Sequence, residues 1–166
     1  MTGTRPYDPA RDDLAEIVAL IHRAFEQDRG KLEPESGALT ESVESLRKRL
    51  EKNRLFLAED DGRISGAVFA TQKGDAVYLD RLAVDPEVRC RGIARRLIEA
   101  VEAHARATGA ARITLGVRLA LQHNIDYFRR WGFVETGRQA HDGFDAPTSM
   151  DLSLIHISEP TRHECI

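Results

Sequence analysis

At 166 residues, with 42% hydrophobic and 31% charged residues, the chain has the size and composition of one globular domain able to bury a core. Its formal net charge of −3 argues against a polyanion binder, and no apolar run approaches the length of a membrane span. Cys90 and Cys165 offer neither a disulfide framework nor metal-ligand spacing, and no signal-peptide core opens the chain, so a cytoplasmic protein without a metal, nucleic-acid or membrane partner is expected.

The chain opens on a short extended segment, Thr4-Arg5-Pro6-Tyr7, which Pro6 and Pro9 keep out of helix. Asp12 or Asp13 can cap the helix that follows, whose apolar face is Leu14, Ile17, Val18, Leu20, Ile21, Ala24 and Phe25. Residues 27–38 read as a loop. A second helix runs from about Leu39 to Lys52, and a capping box opened by Thr40 is incomplete because Val43 stands where Glu or Gln is needed. Leu55–Ala58 and Ile64–Thr71 form a hairpin about Asp60-Asp61-Gly62. Lys73-Gly74-Asp75 turns into a third, alternating run, Val77–Val84. Ile93, Ala94, Leu97, Ile98, Val101 and Ala105 then repeat at helical spacing until Thr108-Gly109 stops them. Ile113, Leu115 and Val117 alternate in a strand, Gln122–Trp131 suits a short helix, and strands at Phe133–Gln139 and Ser149–Leu154 close the order β-α-α-β-β-β-α-β-α-β-β. Such an order predicts an α/β fold with a mixed central sheet of about seven strands and about four flanking helices.

The chain is organised around the junction Asp85-Pro86-Glu87-Val88-Arg89-Cys90-Arg91-Gly92-Ile93-Ala94, where an apolar strand enters the long amphipathic helix. First-turn N–H groups lack intrahelical partners and the helix dipole favours negative charge there, so such a turn binds anions. Arg89, Arg91, Arg95 and Arg96 add positive charge, which suits a diphosphate. The pattern Arg89-x-x-Gly92-x-Ala94, following Val84-x-Pro86, resembles the [QR]-x-x-G-x-[GA] pyrophosphate loop of the GNAT superfamily of acyl-CoA-dependent N-acyltransferases. The resemblance covers roughly residues 4–151, treated as a single N-acetyltransferase domain.

The resemblance implies that Leu82, Ala83, Val84, Arg89, Cys90, Arg91, Gly92, Ile93, Ala94 and Arg95 bind acetyl-CoA, the acyl donor. It further implies that backbone N–H groups near Leu82–Val84 hold the developing oxyanion. The helix Gln122–Trp131, with Gly132-Phe133, is similar to the family's asparagine-to-Gly-Phe helix, which makes Asn124 and Phe128 contacts of the CoA arm. In the family a tyrosine four residues before the glycine protonates the leaving thiolate; here Phe128 stands at that register, with Tyr127 one place earlier. A phenyl ring has no proton to give. Either Tyr127 takes the role through a shift in helix register, or water or another side chain does, or acyl-CoA is bound without turnover. Asp80, on the same strand face as Leu82 and Val84, is the candidate base for the attacking amine.

The acceptor pocket is expected between the loops Lys31–Leu39 and Ala140–Thr148. His141 is a second possible base there, and Glu33, Glu35 and Glu41 can attract a cationic acceptor. Cys90 occupies a variable position of the motif and reads as a small packing residue. The expected activity is acetyl transfer to the primary amine of a small molecule, by direct attack in a ternary complex. A catalytically weak acyl-CoA sensor and a protein or peptide N-terminal acetyltransferase are the alternatives, and a monomer or homodimer is the expected assembly. Finally, Leu152–Arg162 resembles translated sequencing-library adapter, so residues 152–166 are read as a non-native tail whose first residues can still complete the last strand.

Overall fold

Seven strands form one sheet in the computed structural model, which describes residues 2–155. They are β1 (Thr2–Pro6), β2 (Asn53–Asp60), β3 (Arg63–Lys73), β4 (Ala76–Val84), β5 (Arg112–Arg118), β6 (Val134–Gln139) and β7 (Ser149–Leu154), in the order β1-β2-β3-β4-β5-β7-β6. All described neighbours pair antiparallel except β4 and β5, which are parallel and joined through a helix, as a parallel crossover requires. The helices are α1 (Leu14–Glu26), α2 (Val43–Arg49), α3 (Ile93–Ala107) and α4 (Gln122–Trp131).

Two apolar clusters cover the two faces of the sheet. One joins Ile17, Leu20, Ile21 and Leu46 of α1 and α2 to Leu55, Leu57, Phe69 and Ala83. The other joins Ile93, Leu97, Ile98 and Val101 of α3 and the aromatic residues of α4 to Phe56, Val68, Leu79 and Leu115. Central strands buried on both faces lose the clean alternation of a half-exposed strand, which is why β2 and β3 each carry a run of consecutive buried residues.

Helix ends follow local side chains. Asp13 caps α1 by accepting from the Ala15 N–H at 2.9 Å. The second helix is shorter than the sequence suggests: a 3₁₀ turn at Gly37–Thr40 precedes an α-helix that starts at Val43. Its cap is Ser42, not Thr40, and Ser45 closes the box by accepting from the Ser42 N–H at 2.8 Å. A hydroxyl there replaces the Glu or Gln of the usual pattern, which hides the box in the sequence.

Two irregularities open the site. β4 and β5 pair over Ala76–Tyr78 and Arg112–Thr114 and then part. Just beyond, Ala67 faces Ala83 while Phe69 faces Asp80, so Arg81 and Leu82 together stand opposite Val68 in a β-bulge. Arg81, in the bulge, has φ +54, an uncommon conformation for any residue but glycine.

Candidate active site in the wedge between two strands

A cavity of about 480 Å³ occupies the wedge. Tyr78, Asp80, Arg81 and Leu82 of β4 line one wall, and Leu115, Gly116, Val117 and Arg118 of β5 line the other. Asn124 and Phe128 of α4 reach it, as do Phe25 of α1, Asp28 just beyond it, His141 from the loop after β6 and Ser149 at the start of β7. Of the residues expected from the sequence, Asp80, Leu82, Asn124, Phe128 and His141 are therefore brought together. Tyr78, Asp28 and Gly116 were not among them. The period of β4 places Tyr78 on the same face as Asp80, the one signal that could have singled it out.

Asp80 is held in a charged network. Its Oδ2 accepts from Arg49 Nη1 at 2.9 Å, and its Oδ1 accepts from the Arg81 backbone N–H at 2.9 Å. Glu41 ties the same arginines together, with Oε2 2.8 Å from both Arg49 Nε and Arg81 Nε. Burial pushes the Glu41 carboxyl up, but hydrogen bonds from Ser45 and Arg81 and the charges of Arg49 and Arg81 outweigh it and hold it below the usual range. Glu41 thus belongs to the wall behind the cavity, where the sequence placed it among loop residues drawing in an acceptor. Glu35 does line the cavity, with Oε1 accepting from the Gly30 N–H at 2.9 Å. The Asp28 carboxyl also lines it and is raised by burial, against the lowering charges of Lys31 and Arg89.

Tyr127 lies elsewhere. Its side chain is buried in the core, edge-on to Phe128 with ring centroids 5.6 Å apart and tilted against Trp131 at 6.2 Å. Burial raises its phenol to about 12. Neighbouring helix positions point about 100° apart, so with Phe128 at the cavity Tyr127 turns into the core.

At the mouth of the wedge, the turn from β4 to α3 is anchored from both sides. Asp85 accepts from the Glu87 N–H at 3.0 Å and pairs with Arg23 at 3.1 Å. Arg89 turns away from the helix opening: Nη2 donates to the Ala24 carbonyl at 3.0 Å and Nη1 to Gln27 Oε1, closing the end of α1. Arg95 pairs with Glu99 at 3.4 Å, and Arg91 is exposed. The side chains of Ile93 and Ala94 enter the core, leaving their backbone to face the opening. The Cys90 sulfur is disulfide-bonded, a correction to the reading of a chain without disulfides and of Cys90 as a simple packing residue.

The α3 opening fits an anion on two counts. Gly92, in the left-handed region at φ +77, precedes the helix without any side-chain cap on the first-turn N–H groups. The buried Nε of Arg96 has no hydrogen-bond partner among the described residues, and the Arg96 guanidinium lies 3.7 Å from where a Cβ on Gly92 would stand. Backbone donors and one uncommitted guanidinium N–H are what a diphosphate would take up. Among the described residues, no group of His, Cys, Asp and Glu is arranged to hold a metal ion, and no helix is long and apolar enough to cross a membrane.

Residues 14–133 match the acetyltransferase (GNAT) family, and the chain belongs to that family. It is 31% identical over 134 residues to a mycothiol acetyltransferase of Propionibacterium freudenreichii, an alignment covering 74% of this chain and 40% of that protein. The chain spans less than half the length of the curated relatives it matches. In fold it is similar to the PaiA N-acetyltransferase of Thermoplasma acidophilum, solved in complex with coenzyme A, at a TM-score of 0.77 and 16% identity over 94% of this chain and 99% of that one. It is also similar to the ribosomal-protein-S18-alanine N-acetyltransferase of Escherichia coli, at a TM-score of 0.73 and 20% identity over 93% of each chain.

Proposed function

We propose that the protein transfers the acetyl group of acetyl-CoA to the primary amine of a small molecule, by direct attack while both are bound. The observation that carries this reading is the cavity in the wedge between β4 and β5, lined by Asp80, Asn124, Phe128 and His141, together with the uncapped start of α3 beyond the end of β4. Acetyl-CoA, when bound, supplies an activated acyl carbon. The α3 opening and Arg96 hold its diphosphate, and a backbone N–H near Leu82–Val84, beside the bulge, donates to the thioester oxygen as charge develops on it. Asp80 lines the cavity with its carboxylate oriented by Arg49 and by the Arg81 N–H, and it serves as the base for the amine, directly or through water. Holding amine and thioester together contributes the larger part of the rate.

One observation favours a second reading. Phe128 lines the cavity where the family's usual proton donor would stand, which suits a weakly catalytic acyl-CoA sensor. Acceptor-dependent CoA release, measured over polyamines, aminoglycosides, amino-sugar derivatives and peptide N-termini, separates the possibilities. Release with a small amine supports the proposal, and release with peptides alone replaces it by N-terminal acetylation. Tight acetyl-CoA binding without release over the whole panel makes the protein a sensor.

A further inference from the structure

We propose that the Tyr78 hydroxyl is the proton donor to the departing thiolate, doing from β4 what the aromatic residue of α4 cannot. The inference rests on the acetyltransferase reading and adds to it the residue that completes the chemistry.

The chain has three tyrosines, and their positions separate them. Tyr7 packs at the edge of the apolar cluster under α1, Tyr127 is in the core, and Tyr78 lines the cavity. Tyr78 is the last β4 residue paired with β5, opposite Thr114, so it stands at the narrow end of the wedge. Its hydroxyl makes no hydrogen bond to a described residue and lies 3.3 Å from where a Cβ on Gly116 of β5 would be. Glycine at that position leaves the space between the strands clear for the phenol. Thr114 faces Tyr78 in the parallel pairing of β4 with β5, and Gly116 is two residues further along, so the hydroxyl leans along β4 toward the level of Asp80 and the bulge at Leu82, where the thioester would lie.

The other hydroxyl and imidazole groups on the cavity are engaged. His141 Nδ1 is in contact with Thr148 Oγ1, Ser36 Oγ accepts from the Ala38 N–H, and Ser149 Oγ donates to the Gln139 carbonyl at 3.4 Å. The charged groups about the phenol come from four elements. Lys73 of β3 places Nζ 4.0 Å from the ring centroid, Asp80 and Arg81 are on the same strand, Asp151 is on β7, and Arg49 is on α2. Burial, Asp80 and Asp151 raise the phenol above its ordinary value against the opposing arginines, so it carries its proton throughout the neutral range.

The step balances. The amine nitrogen forms its bond to the acyl carbon, the carbon–sulfur bond breaks with its electron pair going to sulfur, and the Tyr78 O–H delivers its proton there. The products at this point are free CoA thiol, tyrosinate and a protonated amide nitrogen. The nitrogen gives up its proton to Asp80 or water, and the tyrosinate regains one from solvent. The Lys73 ammonium over the ring eases the transient negative charge.

The test compares wild type with Tyr78→Phe. Acetyl-CoA affinity is read by calorimetry, and turnover is read with acetyl-CoA and with an acetyl ester of an aryl thiol, whose thiolate leaves without a proton. The variant should keep acetyl-CoA affinity within about threefold and lose about a hundredfold in kcat with acetyl-CoA, while aryl thioester turnover stays near wild type. Unchanged kcat with acetyl-CoA, or an equal loss with both donors, overturns the assignment while leaving the acetyltransferase reading in place. A wild-type protein that releases no CoA with any acceptor overturns the acetyltransferase reading, and the proton donor with it.

Discussion

Gly92 and Tyr127 show how single positions divide between binding and packing. Gly92 holds φ +77 at the opening of α3, where an L residue costs about 1–2 kcal/mol, and its missing side chain keeps the opening clear. Gly92→Glu adds that strain and a carboxylate beside the expected diphosphate, so acetyl-CoA affinity should fall at least about a hundredfold by calorimetry; unchanged affinity would remove the loop from the binding site. Tyr127 reads from the sequence as a candidate acid, but its phenol is in the core beside Phe128 and Trp131. Tyr127→Phe should therefore leave kcat within about twofold of wild type and cost at most about 1–2 kcal/mol of stability. A large loss of kcat with unchanged melting would return the hydroxyl to the mechanism.

Between elements, the most consequential group away from the cavity is Glu102, on the buried side of α3 against α4. It is 2% exposed, it is bonded to the Trp131 side chain, and its Oε1 has no partner among the described residues. Burial raises its carboxyl to about 7, with Arg106 lowering it and Glu99 raising it further. Because the folded value lies above the unfolded one, the folded state binds the extra proton. Stability from this group is fully present below the unfolded value and is lost as pH rises toward 7. The loss is on the order of 3 kcal/mol. Glu102→Gln should accordingly melt several degrees higher than wild type at pH 8, with the gap closing near pH 4 in a thermal denaturation series. A gap independent of pH would show that packing, and not the proton, sets the cost.

Over the whole molecule, the last strand decides where the domain can end. β7 lies between β5 and β6, and its Leu152, Ser153 and Leu154 are buried although they fall in the stretch that resembles adapter sequence. Ile155 is exposed, and residues 156–166 lie outside the described residues. We propose that truncation after Ile155 leaves a folded, soluble protein, whereas truncation after Asp151 breaks the pairing of both neighbours and gives insoluble or molten chains. Circular dichroism and size-exclusion chromatography of the two truncations check this. Equal behaviour would mean that β5 and β6 hold without the final residues of β7.

The chain by itself determined the element order, the mixed sheet and the turn that opens α3, because each is written locally: in apolar period, in Gly and Pro at turns, and in Arg89-x-x-Gly92-x-Ala94. The Ser42–Ser45 cap escaped because a hydroxyl took the place of the expected carboxylate or amide. The bulge at Arg81–Leu82, the parting of β4 from β5 and the meeting of Tyr78 with Gly116 were decided only in the tertiary structure. Each depends on which strand lies alongside and in what register, and strand pairing is a relation between distant segments that no local pattern carries. The same reason separates Phe128 from Tyr127. Helix period places them on different faces, but only the docking of α4 determines which face meets the cavity and which meets the core.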